Sequence, residues 1–285
     1  MTNRACVYIL NENQMYHGMF SVSLRTLRRS NPGVPVILFY VRDGNADSWH
    51  KNTDAMRSAF DQGMVSRFMI GGEARIMELC RRESVRVELV ERLPYATQNF
   101  VSIQRCLFEK CHVRDALLLD VDTFVFGPVD PLFDTRGEIE VAASPMVGVF
   151  GDRGGVTSQD IIFSYMVGGR LVKSLVRPMN SGVVLFRNHL ISEYGSVVKQ
   201  YCDLLLGKKH PMSYMMYSMR PDGRSREEFA FNVYLLERRK RTRFFENSEV
   251  CTYDYRPGCL VFHSSSAAYP SHFASFCRAG RLVSN

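Results

Sequence analysis

Short unbroken apolar runs take turns along the chain with longer stretches of helical period. Cys6-Val7-Tyr8-Ile9-Leu10 has the length and make-up of a buried strand, and a polar turn at Asn11-Glu12-Asn13 parts it from Tyr16 to Leu27, where Met19, Phe20, Leu24 and Leu27 recur near helical spacing. Asn31-Pro32-Gly33 stops that helix, and Val34 to Tyr40 supplies a second strand whose proline comes early enough to be tolerated. The spacing predicts short helices over Ala55 to Phe60 and Arg75 to Arg82, an alternating strand over Val85 to Val90, and a helix over Phe100 to Cys111. Glu138 to Ala143 predicts another strand. Ser144 to Met179 is Gly-rich and nearly aperiodic, which predicts a long loop with a short helix near Ile161 to Val167, either a lid over a site or a plain insertion. A short buried strand over Val183 to Phe186 precedes a helix over His189 to Leu206. Lys208 to Arg226 reads as a basic loop rich in Met and Tyr, Glu227 to Leu236 as a helix with a basic end, and Leu260 to Phe262 as the last strand. This alternation predicts one α/β domain built on a mixed, mainly parallel sheet flanked by helices, with ligands beyond the carboxyl ends of the strands.

One apolar run behaves differently. Ala116 to Phe126 breaks at Asp120-Val121-Asp122 and then resumes, leaving two carboxylates in hydrophobic surroundings. In a strand, alternate residues project to one side, so Asp120 and Asp122 would face together while Leu119 and Val121 face away. Two like charges that close are costly unless a cation neutralises both. Two readings stand at this point: a hard divalent cation site, and a strand end with two solvated aspartates.

Composition narrows the classes. The chain has 285 residues, 46% of them hydrophobic, enough for a sizeable core, and no apolar stretch reaches the length needed to cross a bilayer. Its polar first residues do not resemble a signal peptide, so the expected location is cytoplasmic. Eight cysteines show neither a CxxC pair nor zinc-finger spacing, the pattern of reduced thiols. A net charge of +7 favours anionic partners: nucleotides, phosphorylated acceptors, or an acidic membrane face for peripheral association. No nucleic-acid-binding signature accompanies it.

Five separated patches resemble the nucleotide-sugar transferases of the Rossmann-like GT-A fold, and in particular glycosyltransferase family 8. They are the first strand with Tyr16-His17-Gly18 and Ser23-Leu24; Leu119-Asp120-Val121-Asp122-Thr123 with Pro131-Leu132-Phe133-Asp134; Met179-Asn180-Ser181-Gly182-Val183; Glu227-Glu228 with Phe231-Asn232; and His263 with Pro270. Each is weak alone, and their joint order along nearly the whole chain is specific. The resemblance implies a nucleotide-binding part over roughly 1–126 and an acceptor-side part over roughly 127–285. It implies that Asp120 and Asp122 are the DxD motif that binds manganese, or magnesium, with the diphosphate of a nucleotide-sugar donor, UDP-linked by expectation, and that His263 is the third protein ligand. Without the resemblance, His263 reads as an ordinary buried or surface histidine with no metal.

The resemblance also implies that Tyr8, Leu10, Asn13 and Tyr16 line the nucleoside pocket, with an aromatic ring stacked on the base. Asn180, Ser181 and Gly182 would face the transferred sugar, with glycine allowing a close approach of backbone to ligand. On the helix before the DxD the family carries a Lys or Arg; here Gln104 holds that position and Arg105 the next, and Arg105 is the expected donor contact. Two departures bear on mechanism. Glu227 and Glu228 replace an Asp-Gln pair, where a carboxylate would act as general base in an inverting transfer or stabilise positive charge at the anomeric carbon in a retaining one. Ser266 and Tyr269 replace a glycine and a diphosphate-contacting lysine, which leaves the stereochemistry open. The acceptor implied is a hydroxyl on a glycan, protein or lipid. Two other readings compete: a phosphohydrolase of the haloacid dehalogenase type, whose Asp-x-Asp nucleophile motif belongs near the start of a chain, and a nucleotide-sugar binder without turnover.

Overall fold

The computed structural model describes residues 4–12, 14–42, 72–91, 111–134, 139–145, 161–167, 170–176, 179–187, 235, 240–264 and 268–282. The expected helices at Ala55 to Phe60, Phe100 to Cys111 except its last residue, His189 to Leu206, and most of Glu227 to Leu236 fall outside the described residues.

The first apolar run forms β1 (Arg4–Asn11), and α1 (Gln14–Ser30) follows with Met19, Phe20, Leu24 and Leu27 buried on one stripe, as their spacing predicts. Asn31 closes the helix. Its N–H donates to the Leu27 carbonyl at 2.8 Å, while its side chain bonds the Gly127 carbonyl and the Val129 N–H at 3.0 and 2.8 Å, pinning a distant loop to the helix end. Next come β2 (Val36–Arg42), α2 (Gly72–Arg82), β3 (Arg86–Glu91) and β4 (Asp115–Leu119). β5 (Thr123–Val125), the single turn α3 (Asp130–Phe133) and β6 (Val141–Pro145) follow.

The segment Ile161–Val167, expected as a short helix, is instead strand β7, paired antiparallel with β8 (Arg170–Val176) from Ile161↔Val176 to Val167↔Arg170. The physical reason lies in composition: Ile-Ile-Phe-Ser-Tyr-Met-Val is rich in β-branched and aromatic residues, and Gly168-Gly169 parts it from a second apolar run, a hairpin signal. The chain continues through β9 (Met179–Arg187), β10 (Thr242–Phe244), β11 (Val250–Thr252), β12 (Val261–His263) and α4 (Tyr269–Arg278).

Seven strands form one sheet in the order β10-β6-β9-β4-β1-β2-β3. All neighbours are parallel except β9, which runs antiparallel to both β4 and β6, so the sheet is mixed and mainly parallel as expected. Residues of alternate parity divide between its faces. Cys6, Tyr8, Leu38, Leu117 and Leu185 pack with Phe20, Leu24, Ile76 and Leu79 of the helices, whereas Ala5, Val7, Phe39, Leu118 and Phe186 form a second cluster on the opposite face. Burial on both sides explains why the central strands are continuously apolar rather than alternating.

A three-stranded sheet in the order β11-β12-β5 is attached at the end of β4, with β12 antiparallel to β5. It is backed by an aromatic layer. Phe124 stacks on Tyr269 at 4.7 Å and meets Phe276 edge-on at 5.0 Å, holding α4 against the small sheet. Aromatic pairs of this kind add about 0.5–1.5 kcal/mol each beyond their buried area.

Candidate metal centre

The apolar run that opens the site stops one residue earlier than strand alternation requires. β4 ends at Leu119, and Asp120-Val121-Asp122 forms a turn before β5, so the two carboxylates share a side through turn geometry rather than strand pleat. Thr123 closes the turn: its N–H and its hydroxyl both donate to the Asp120 carbonyl, at 3.2 and 2.8 Å. Because the Thr123 proton is committed there, Ser23 Oγ must donate to Thr123 Oγ1 at 2.8 Å and the Tyr8 hydroxyl to Ser23 Oγ at 2.9 Å. A one-directional chain thus runs from the core through Tyr8, Ser23 and Thr123 to the turn. Thr26 adds a strut, donating to the Ser23 carbonyl and accepting from the Val125 N–H at 2.8 and 3.0 Å.

β12 brings the third group. His263 lies opposite Thr123 in the antiparallel register, and the Ser264 N–H donates to the Asp122 carbonyl at 3.1 Å. His263 Nε2 consequently stands 3.3 Å from Asp122 Oδ1 and 3.6 Å from Asp120 Oδ2, and one ligand atom from each of the three residues lies within 4.8 Å of the others. Two ligands at right angles about an ion with bonds of about 2.1 Å are separated by about 3 Å, so these spacings need little adjustment to share one ion. The side chains of Asp122 and His263 are 9% and 6% exposed, that of Asp120 54%, so the cluster is walled on one side and open on the other. Two carboxylates and an imidazole within reach of a single point suit a divalent metal.

Gly182 makes this convergence sterically feasible. A Cβ on Gly182 would clash with Cε1 and both nitrogens of the His263 imidazole. The close approach expected between this glycine and a ligand is therefore made by the protein's own histidine. Gly182 also accepts a 2.8 Å hydrogen bond from the Asp120 N–H, tying β9 to the turn, and its N–H donates to Asn180 Oδ1 at 2.9 Å. Ser181 is half-buried beside them.

Other expected residues take different places. Tyr8 is wholly buried, its ring edge-on to Phe20 at 5.2 Å, and Leu10 is buried in the same cluster. The Tyr8 ring is packed into the core, and its hydroxyl serves the turn. Tyr16 is half-buried between two core clusters, as is Val121. Tyr269 is also fully buried, and burial followed by the nearby charge of Asp122 pushes its phenol well above the ordinary value. Its ring belongs to the aromatic layer, so it stands as a neutral wall behind the cluster. Asn13, Arg105, Glu227, Glu228 and Ser266 lie outside the described residues.

At the ends of β1 and β2, His17 Nε2 meets the Asn11 carbonyl at 2.9 Å and the Tyr40 hydroxyl at 3.3 Å. Burial lowers the His17 pKa, and burial with the charges of Glu73 and Glu12 pushes Tyr40 up to about 12.

Thr123 belongs to the acidic patch in the sequence, but its part in closing the turn, and Tyr253 altogether, were not expected. Tyr253 has a positive φ of 64°, a conformation that costs a residue with a Cβ about 1–2 kcal/mol. Its ring lies 5.7 Å from that of His263. No local pattern marks it.

No protein-family model matches the sequence, and no curated protein matches it. Among solved structures, the chain is similar to the bifunctional glycosyltransferase WbbM at 9% identity and a TM-score of 0.50, covering 93% of this chain and 46% of that one. It spans just under half the length of that protein, and the likeness is one of fold. The galactosyltransferase LgtC, solved with donor and acceptor sugar analogs, overlaps at 12% identity and a TM-score of 0.48, covering 98% of this chain and 97% of that one. Mouse xyloside xylosyltransferase 1 overlaps at 11% identity and a TM-score of 0.47, covering 92% and 98%.

Proposed function

We propose that this chain is a metal-dependent glycosyltransferase that moves a sugar from a nucleotide-sugar donor, UDP-linked, to a hydroxyl of a glycan, protein or lipid acceptor. The convergence of Asp120, Asp122 and His263 at the carboxyl end of β4 carries the reading. The mixed sheet, which has the glycosyltransferase architecture, supports it. Residues 1–126 form the donor side and 127–285 the acceptor side in this reading.

A bound divalent cation would supply positive charge to the diphosphate leaving group as the sugar–phosphate bond breaks. The protein's part is to hold the ligands. Asp122 is fixed through its carbonyl by Ser264, Asp120 through its N–H by Gly182, and His263 presents Nε2 when its proton resides on Nδ1. An imidazole in this set favours manganese over magnesium, which prefers all-oxygen shells. Glu227 and Glu228 are assigned the acceptor-side carboxylate role, and Arg105, Asn13 and Ser266 donor contacts, on the sequence resemblance alone.

The test is calorimetry with UDP-glucose, UDP-galactose, UDP-xylose and GDP-mannose, with and without manganese, on the parent and on Asp122→Ala. Metal-dependent binding of one donor, lost in the variant while its far-UV spectrum and melting transition persist, is the expected result. Turnover of aryl or acyl phosphates in place of donor binding would establish the phosphohydrolase reading instead.

A further inference from the structure

Tyr253 combines two properties that residues beside a catalytic cluster acquire only under constraint. Its backbone is left-handed, and the residue is 39% exposed; among the described residues the other exposed large hydrophobic residue is Leu89, on the outer strand β3. Outliers of this kind collect at binding sites, where the surrounding structure holds them in place.

Three contacts hold Tyr253. Its N–H donates to the His263 carbonyl at 2.8 Å, its hydroxyl accepts from Asn180 Nδ2 at 3.4 Å, and its ring is tilted 40° to the imidazole at 5.7 Å. Asn180 is itself 3% exposed, and its Oδ1 is engaged by the Gly182 N–H. Both ends of the Asn180 amide therefore work within the protein. What β9 offers outward at this point is the ring it steadies.

We propose that Tyr253 is the platform on which the transferred sugar ring rests, with Asn180 as its positioning residue; this depends on the glycosyltransferase reading above. One face of a pyranose carries mainly C–H groups and packs against an aromatic ring. A tyrosine with its backbone and hydroxyl tied offers that surface at little entropic cost. A nucleobase is separated from a cation-bound diphosphate by a ribose, whereas the transferred sugar is bonded to the diphosphate directly. A ring this close to the ligating imidazole lies at the nearer of those two distances.

The experiment compares two probes in the presence of manganese: the sugar nucleotide of the four-donor panel that the parent chain binds most tightly, and its nucleoside diphosphate. Tyr253→Ala is expected to weaken the sugar nucleotide roughly three- to tenfold and to leave the nucleoside diphosphate unchanged, with Tyr253→Phe within about twofold of the parent for both. Should the alanine variant not fold, Tyr253→Leu, which keeps bulk without an aromatic face, carries the same comparison. Equal loss for the two probes would mean that the ring merely supports His263, and no loss for either would mean that it touches no sugar; each result overturns the proposal while leaving the transferase reading intact. A parent chain that binds none of the four donors removes that reading, and the platform with it.

Discussion

Replacing Gly182 with alanine adds a single methyl group, and the structure says where its cost falls. The added Cβ would clash with the imidazole of His263, so either β9 or the histidine must move by about an ångström or more to restore ordinary contact. β9 is locked between β4 and β6, whereas His263 ends a three-residue strand, so the histidine yields. Overpacking of this sort costs about 1–3 kcal/mol, partly offset by about 0.4–1 kcal/mol because alanine restricts the unfolded chain, so a melting point lowered by only a few degrees is expected. The cation site suffers more. Disturbing a residue behind a metal ligand commonly costs 10–100-fold in affinity, and displacing the ligand itself should reach the top of that range, about 2.8 kcal/mol. Calorimetric titration of manganese, in the presence of UDP, into the parent, Gly182→Ala, His263→Ala and the double variant measures this as a cycle. In the His263→Ala background the methyl has room, so Gly182→Ala should cost almost nothing further. An undiminished manganese affinity in Gly182→Ala, or an equal penalty in both backgrounds, would refute the reasoning.

Three further outcomes follow from the geometry. Thr123→Val strands the buried Ser23 donor and should cost about 1–3 kcal/mol in urea unfolding, whereas Tyr8→Phe removes only the first donor of the chain and should cost about 0.5–1.5 kcal/mol; the reverse order would contradict the assigned direction. His17 is held neutral by burial, with its pKa below 6.5, so the unfolded chain takes up its proton first as pH falls: the stability is complete above about 6.5 and is lost as pH drops toward the folded value. His272, lowered chiefly by burial, acts in the same sense. Urea melts at about pH 7.5 and about pH 5.5 should show this loss in the parent and a smaller one in His17→Gln, and equal slopes would dismiss the assignment. Glu227→Gln and Glu228→Gln, assayed separately, should leave donor binding intact while one of them slows transfer at least 100-fold; full rates in both would remove the acidic pair from the chemistry.

Residues whose environment is set by near neighbours were legible in the sequence. The stripe of Met19, Phe20, Leu24 and Leu27 announced α1, and the acidic interruption after Leu119 announced the cluster. Face assignments inside the central strands were not legible. A strand buried on both sides has no polar alternation to show which way Tyr8 points, and its ring went to the core. The hairpin at 161–176 was obscured because its two apolar runs lie within a Gly-rich window that averages to a loop. The contact of Gly182 with His263 was not legible, because the two residues lie far apart in the sequence and no local pattern encodes a contact that distant.

The antiparallel pairing of β12 with β5 has a consequence in time as well as in space. Asp120 and Asp122 are made well before the imidazole that completes their cluster. Until residue 263 has emerged and docked, a nascent chain carries an acidic turn with no nitrogen ligand and should hold manganese poorly. Cation uptake would therefore report that β5 and β12 have met.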